Sequence, residues 1–426
     1  MRWFLAAIFV IGVLGLSSPA AAADEPRFED GLSAFNVGDA QGASKIFWKL
    51  AAAGDARAQY YLAEMLDTGM GNTGKDVFGA LGWYRKAAAQ DYLPAVSYMG
   101  YAYHIGHGVS KNDKEAFNWY TRAAQMGDAV AQNNLGVMLR DGIGHQKNNR
   151  AAIQWFMQSA TQGNPVAQYN LAEMYRRGRG VKANETEALR WYTQAAKQGD
   201  IYAQHRLGKM HRVKDPAAAL VWFQAAAAQG YVPAELSIAE MYEAGAGDST
   251  KGPADAALIY ARAAKKGHAR AKYRLAAFYE TGTGVPQNFR EAAAWYRKAA
   301  EEDGALPAML ALGRLYEDGK GVAKNPDEAR KLYEKGARLG DPYAQFEFGR
   351  VYKEGWGGKP DPVQAYQWFA LAAAGLPDGP ARAAAVVARI DVSNALTEAQ
   401  LTDVRQKVKD WKPDAPPLAQ KQSVKR

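Results

Sequence analysis

A chain of 426 residues exceeds what one globular core usually holds, so it reads either as several domains or as a repeat that adds core by stacking. It contains no cysteine, which excludes thiol catalysis, disulfide exchange and cysteine-based zinc sites. Its formal charge of +9 favours acidic partners such as anionic polysaccharide, lipid headgroups or acidic protein faces, although spread over so long a surface it also serves plain solubility.

In chain order, residues 1–23 read as a cleaved secretory signal. Arg2 is the positive start, Trp3 to Leu16 the apolar run, and the alanines ending at Ala23 the cleavage site. The apolar run is shorter than the roughly 20 residues of a spanning helix. No cysteine follows it, so a lipid anchor is excluded. The mature chain is therefore expected in a bacterial periplasm, with no integral membrane segment and no nucleic-acid partner. Residues 24–54 read as a degenerate capping repeat, because Ala43, Phe47, Trp48, Ala51 and Gly54 reproduce the second half of the unit described next.

Trp83-Tyr84 recurs as Trp119-Tyr120, Trp155-Phe156, Trp191-Tyr192, Trp222-Phe223, Trp295-Tyr296 and Trp368-Phe369, with Ile259-Tyr260 and Leu332-Tyr333 in the two remaining places. Successive couples lie 36, 36, 36, 31, 37, 36, 37 and 36 residues apart. A fixed period in this range marks a solenoid, in which no unit buries its apolar face alone. Nine units follow: 55–91, 92–127, 128–163, 164–199, 200–230, 231–267, 268–304, 305–340 and 341–375.

The unit 128–163 shows the frame. Ala131, Leu135 and Leu139 are spaced for one face of a first helix, and Gly136 permits a close helix approach. Gly142 ends that helix and Gly144 shapes the loop. A second helix starts at Asn149, carries Ala152, Trp155, Phe156, Ser159 and Ala160 inward, and is closed by Gly163. The aromatic couples are expected to supply the large buried areas between units. Asp91 stands where unit 55–91 should close on glycine, and unit 200–230 lacks the glycine loop and should turn more tightly. Beyond 375, residues 376–411 read as capping helices, the last preceded by a capping box at Thr397 and Gln400. Residues 412–426, with Pro413, Pro416, Pro417 and scattered basic residues, read as a disordered basic tail.

The first halves, as in 131–144 and 344–357, follow A-Q-x-x-L-G-x-x-Y-x-x-G-x-G-V, and the second halves, as in 188–199, follow A-x-x-W-Y-x-K-A-A-x-Q-G. In this the chain resembles the Sel-one-like repeat (SLR) family, a relative of the tetratricopeptide repeat, over 55–375. Leu66 and Leu139 depart from the pattern at the first-helix tyrosine. The resemblance implies an all-α fold: a right-handed α/α superhelical solenoid of about nine helical hairpins with capping helices. It also implies a non-enzymatic surface for protein–protein interaction, in signalling complexes or at the bacterial envelope. Exported proteins similar to it regulate envelope sensor kinases or assist exopolysaccharide secretion. Some disulfide-rich relatives are associated with β-lactam binding, but this chain has neither their cysteines nor a serine–lysine motif.

No catalytic, cofactor or metal site emerges from the residues. The run 69–76, GMGNTGKD, nearly matches a phosphate-binding loop, yet it follows a helix and carries Asp76 in place of the metal-binding hydroxyl. His104 and His107 have no evident third ligand. A sharper signal lies at position 13 of each unit: Asp67, His104, Arg140, Arg176, Arg212, Glu243, Glu280, Glu317 and Lys353. Three arginines precede three glutamates, which predicts a basic stripe followed by an acidic one. The expected partner-binding surface is Arg140, Arg176, Lys209 and Arg212, with Tyr101 and Tyr169 as aromatic contacts and Arg350 with Lys353 as a second patch. It would hold an acidic protein segment on the first-helix face or, alternatively, bind anionic polysaccharide or peptidoglycan directly.

Overall fold

The computed structural model describes residues 27–414; the expected signal sequence and residues 415–426 of the expected tail lie outside them. Among the described residues there are 22 α-helices, a short 3-10 turn and no strand. They group into two compact units that divide between Ala195 and Ala196.

The first unit contains α1 (Phe28–Asn36), α2 (Ala40–Ala52), α3 (Ala56–Thr68), α4 (Val77–Ala89), α5 (Leu93–Ile105), α6 (Asp113–Gln125), α7 (Ala129–Asp141), α8 (Asn149–Thr161), α9 (Pro165–Arg177) and most of α10 (Glu185–Lys197). The second contains α11 (Ile201–His211), α12 (Pro216–Ala228), α13 (Val232–Glu243), α14 (Pro253–Lys265), α15 (Ala269–Thr281), α16 (Phe289–Glu302), α17 (Leu306–Asp318), α18 (Pro326–Arg338), α19 (Pro342–Glu354), α20 (Pro362–Gly375), α21 (Pro380–Ser393) and α22 (Glu398–Asp410). Within each unit, helices adjacent in sequence pack side by side as a row of hairpins, which is solenoid architecture.

The hairpin α7–α8 shows why these residues form it. The Asp128 carboxylate accepts from the Ala131 amide at 2.6 Å and caps α7, and Asn148 does the same for α8 through Ala151 at 3.0 Å. Gly142 ends α7 at φ +77°, in the left-handed region. Gly144, at φ +69°, lies so close to the previous hairpin that an added Cβ would stand 2.0 Å from the Asp113 carbonyl oxygen. At Gly136 a Cβ would meet the Phe156 ring at 2.7 Å, so the missing side chain is what lets α8 seat its ring on α7. Gln132 ties hairpins together, donating to the Ala124 carbonyl at 3.1 Å and accepting from Gln162 at 2.8 Å. In the second unit, buried Lys272 replaces this glutamine and pairs with Glu302 at 2.6 Å and Asp303 at 2.8 Å.

The aromatic couples divide their labour more sharply than the sequence pattern implies. The second ring is the buried one: Tyr84, Tyr120, Phe156, Tyr192, Phe223, Tyr260, Tyr296, Tyr333 and Phe369 are all at most 4% exposed. The preceding tryptophan is only half-buried at Trp83, Trp119, Trp155, Trp222 and Trp295, and Trp48 is 44% exposed. Trp48 and Trp83 meet across neighbouring second helices, edge to face at 5.7 Å. Trp191 and Trp368 are the exceptions, buried with their partners at 3% and 7% exposure. Elsewhere the two members, about 100° apart round the helix, divide so that the second ring faces the first helix.

The irregular places have local causes. Asp91 takes the left-handed conformation at φ +59° where glycine closes the other hairpins, and it pairs with Arg122 at 2.6 Å. The short hairpin passes from α11 to α12 through a tight turn in which the Asp215 amide donates to the His211 carbonyl at 2.8 Å. At the C-terminal end Thr397 and Gln400 form the capping box of α22, with bonds of 2.9 and 3.3 Å. Trp411 lies against Trp368 at 6.1 Å, and the Asp414 amide donates to the Arg338 carbonyl at 2.8 Å, so the chain stays packed for a few residues past α22.

Candidate functional site

The phosphate-like run folds as a 3-10 turn, Met70–Asn72, and Asp76 caps α4 by accepting from the Gly79 amide at 2.9 Å. It is a connection between helices. His104 pairs with Asp113 at 3.0 Å and His107 with Asp67 at 2.6 Å. Among the described residues no group of three or more potential ligands gathers around a metal-sized space.

The first unit holds four of the expected surface residues. Tyr101 on α5 is 39% exposed, and its ring lies 6.0 Å from Tyr98, which stacks on Tyr84 at 3.7 Å. Tyr169 on α9 packs obliquely on Tyr192 at 5.7 Å. Arg140 pairs with Asp141 at 2.7 Å, donates to Asn170 at 3.0 Å and lies 6.0 Å from the Phe156 ring. Arg176 pairs with Glu173 at 2.9 Å, and the hydrogen bond to that carboxylate raises the guanidinium pKa above its usual value. In the second unit, Arg212 pairs with Glu240 at 3.1 Å, and Lys353 with Asp391 at 2.6 Å. Arg350 is bound to Glu317 at 2.6 Å, Glu347 at 3.0 Å and Glu354 at 3.3 Å. Lys209 alone of the six cations makes no ion pair or hydrogen bond among the described residues, and Arg206, Glu240, Arg270 and Arg212 all act on it electrostatically. The structure thus brings Lys209 and Arg212 together in one basic neighbourhood, whereas Arg350 and Lys353 are engaged in holding hairpins and the C-terminal helices.

In six of the nine hairpins the sign of position 13 follows the ring buried beneath it. Tyr260 donates its hydroxyl to Glu243 at 3.2 Å, Tyr296 to Glu280 at 2.6 Å and Tyr333 to Glu317 at 3.0 Å. Burial pushes the Tyr260 phenol up to about 12 and the other two higher still, so each hydroxyl keeps its proton and needs an acceptor. Where the ring is phenylalanine there is no proton to place, and position 13 is basic: Arg140 with Phe156, Arg212 with Phe223 and Lys353 with Phe369. Arg176 sits between the cases, because Tyr192 donates to Glu173 one turn earlier and Arg176 binds the same carboxylate. Asp67 serves Tyr98 of the next first helix at 3.0 Å. The acidic half of the expected stripe is thereby accounted for by packing. A signal was present in the sequence: Glu280–Tyr296, Glu317–Tyr333, Arg140–Phe156 and Lys353–Phe369 are all 16 residues apart.

Glu280→Ala is expected to cost about 1–3 kcal/mol by leaving the Tyr296 hydroxyl unsatisfied, and adding Tyr296→Phe should recover most of it. Urea unfolding of the four chains of this cycle measures the coupling. A second expectation concerns His205, which lies 3.2 Å from the Ser237 hydroxyl and between the Phe223 and Tyr231 rings. Burial, then Lys209 and Arg206, hold its pKa down to about 4. The unfolded imidazole takes a proton near pH 6.5 while the folded one does not, so the stability it contributes is complete above that value. It should be lost as pH falls from about 6.5 towards 4. The difference in melting temperature between wild type and His205→Gln, followed across this window, should therefore shift in favour of the variant as pH falls.

Comparison with known proteins assigns the repeat. The Sel1 repeat model matches residues 56–92, 94–128, 129–164, 165–200, 201–231, 232–268, 269–304, 306–341 and 342–375. The chain belongs to the Sel1 repeat family. Sel1 repeat proteins generally act as protein–protein interaction scaffolds and are typically non-enzymatic. Among solved structures, the chain is similar to c5321, a protective antigen of uropathogenic Escherichia coli with an SLR fold. The two are 30% identical over 90% of this chain and 82% of that one, with a TM-score of 0.75. It is also similar to a Sel1 repeat protein of Oxalobacter formigenes, at 28% identity, 80% and 98% coverage and a TM-score of 0.57. No curated protein matches the chain. No helix among the described residues of this Sel1 repeat protein is long and apolar enough to cross a membrane.

Proposed function

We propose that this chain is an exported, non-enzymatic scaffold that holds a protein partner on the exposed side of its first helices, in envelope signalling or polysaccharide export. The observation that carries the reading is a set of large apolar side chains left in solvent on those helices. In the first unit Val130 on α7 and Val166 on α9 are each 49% exposed at the same repeat position, and Tyr101 on α5 is 39% exposed. In the second unit Tyr202 on α11 and Tyr343 on α19 hold that repeat position at 38% and 43% exposure. An exposed valine or tyrosine at this repeat position in four of the nine hairpins, two in each unit, suits an extended protein segment better than a small ligand. The leader-like residues 1–23 and the absence of cysteine support export.

Crosslinking in intact cells, followed by identification of the captured proteins, tests the reading. One recurrent envelope protein in the adduct is the expected result. Capture of polysaccharide or peptidoglycan alone would replace this reading with direct polyanion binding.

A further inference from the structure

Resting on the scaffold reading, we propose that the depression between α11, α13 and α15 binds an acidic peptide segment of the partner, whose carboxylates meet Lys209, Arg212 and Arg270. The depression encloses about 410 Å3 and is lined by Arg212, Glu240, Glu243, Arg270 and Arg274 among its charged groups. Arg212 and Arg270 share one carboxylate, Glu240, at 3.1 and 2.5 Å, and Arg274 is paired with Glu243. Lys209 stands near the end of α11, three residues before Arg212, exposed and with no ion pair of its own, although Glu240 attracts it at longer range. Three cations and two carboxylates line the depression, and Lys209 adds a fourth positive charge close by.

The chemistry distinguishes this place from the rest of the surface. A guanidinium offers five N–H donors, and Arg212 and Arg270 each place one nitrogen on Glu240, so most of their donors remain for a ligand. Arg350 shows the contrast, since three carboxylates already surround it. Burial and the positive neighbours Arg206, Arg270 and Arg212 outweigh the attraction of Glu240 and hold the Lys209 pKa below the usual lysine value, so a further carboxylate is favoured there. The two glutamates select among anions. A peptide with spaced acidic residues brings carboxylates to the cations and backbone N–H groups to Glu240 and Glu243. A uniformly charged polyanion meets those glutamates as like charges.

The test uses the full chain and a fluorescein-labelled octapeptide of alternating glutamate and glycine, with an oligogalacturonate as the uniform polyanion, read by fluorescence anisotropy. Lys209→Glu with Arg270→Glu should weaken peptide binding at least about tenfold, as expected when rim and pocket cations are reversed. Lys265→Glu with Lys266→Glu, an equal charge change at exposed positions at the C-terminal end of α14, should leave it within about twofold. Circular dichroism of both variants separates lost binding from lost fold. Equal losses in the two variants, no loss in either, or tighter binding of the oligogalacturonate than of the peptide would overturn the proposal. Cellular crosslinking keeps it separate from the scaffold reading. A partner still captured by the Lys209→Glu, Arg270→Glu chain contradicts the pocket alone, and no captured protein from wild type contradicts the scaffold.

Discussion

Phe156→Ala is expected to destabilise the first unit by about 3–5 kcal/mol, the largest effect of any single truncation in the hairpin α7–α8. The ring is wholly buried and covers the space that Gly136 leaves open. Neither helix can close over the cavity, because α7 and α8 are held at both ends by caps and by the left-handed turn at Gly142. Trp155→Ala, one residue away, should cost clearly less, since that side chain is only half-buried. Urea denaturation followed by circular dichroism separates the two. Equal losses would mean that the couple acts as one block and that the division of labour between its members is wrong.

Gly144→Ala is expected to be nearly as damaging although it adds one methyl group. The left-handed conformation costs an L-residue roughly 1–2 kcal/mol. The new Cβ would in addition lie 2.0 Å from the Asp113 carbonyl oxygen, an atom of the previous hairpin's backbone that no rotamer change can move aside. The loop must then lift away from α6, and contacts between two hairpins loosen together. Gly163→Ala is the matched control, with φ at +91° and no atom within 4 Å of the added Cβ. Its cost should be the conformational part alone. Hydrogen exchange should show the excess for Gly144→Ala concentrated at the α6–α7 boundary.

The hairpins were legible in the sequence because their causes are local. Glycines at fixed places end helices, Asp and Asn start them, and rings recurring every 36 residues can satisfy a buried face only on a helix. The more deeply buried member of each couple was harder to read, because tryptophan is the more apolar-looking residue yet in most couples sits one step round the helix from the interface. The surface was legible only in part. Position 13 stood out as a run of charge, but its meaning depended on a partner 16 residues on: Glu280 answers the Tyr296 hydroxyl, and Arg140 stands over a phenylalanine that asks for nothing. Lys209 and Arg212 were named, whereas Arg270 and Arg274 were missed because they come from the next hairpin but one, a neighbour that only folding supplies.

The most direct measurement places a photo-crosslinking residue at single sites of the chain in living cells and compares the two sides of the hairpins. Introduced at Tyr101, Val130, Val166 or Tyr343 on first helices, it should yield one common protein adduct. At Gln154, Val221 or Leu258 on second helices it should yield none or only scattered bands. An adduct of equal strength from both sides, or one confined to the second helices, would contradict recognition by the first-helix surface.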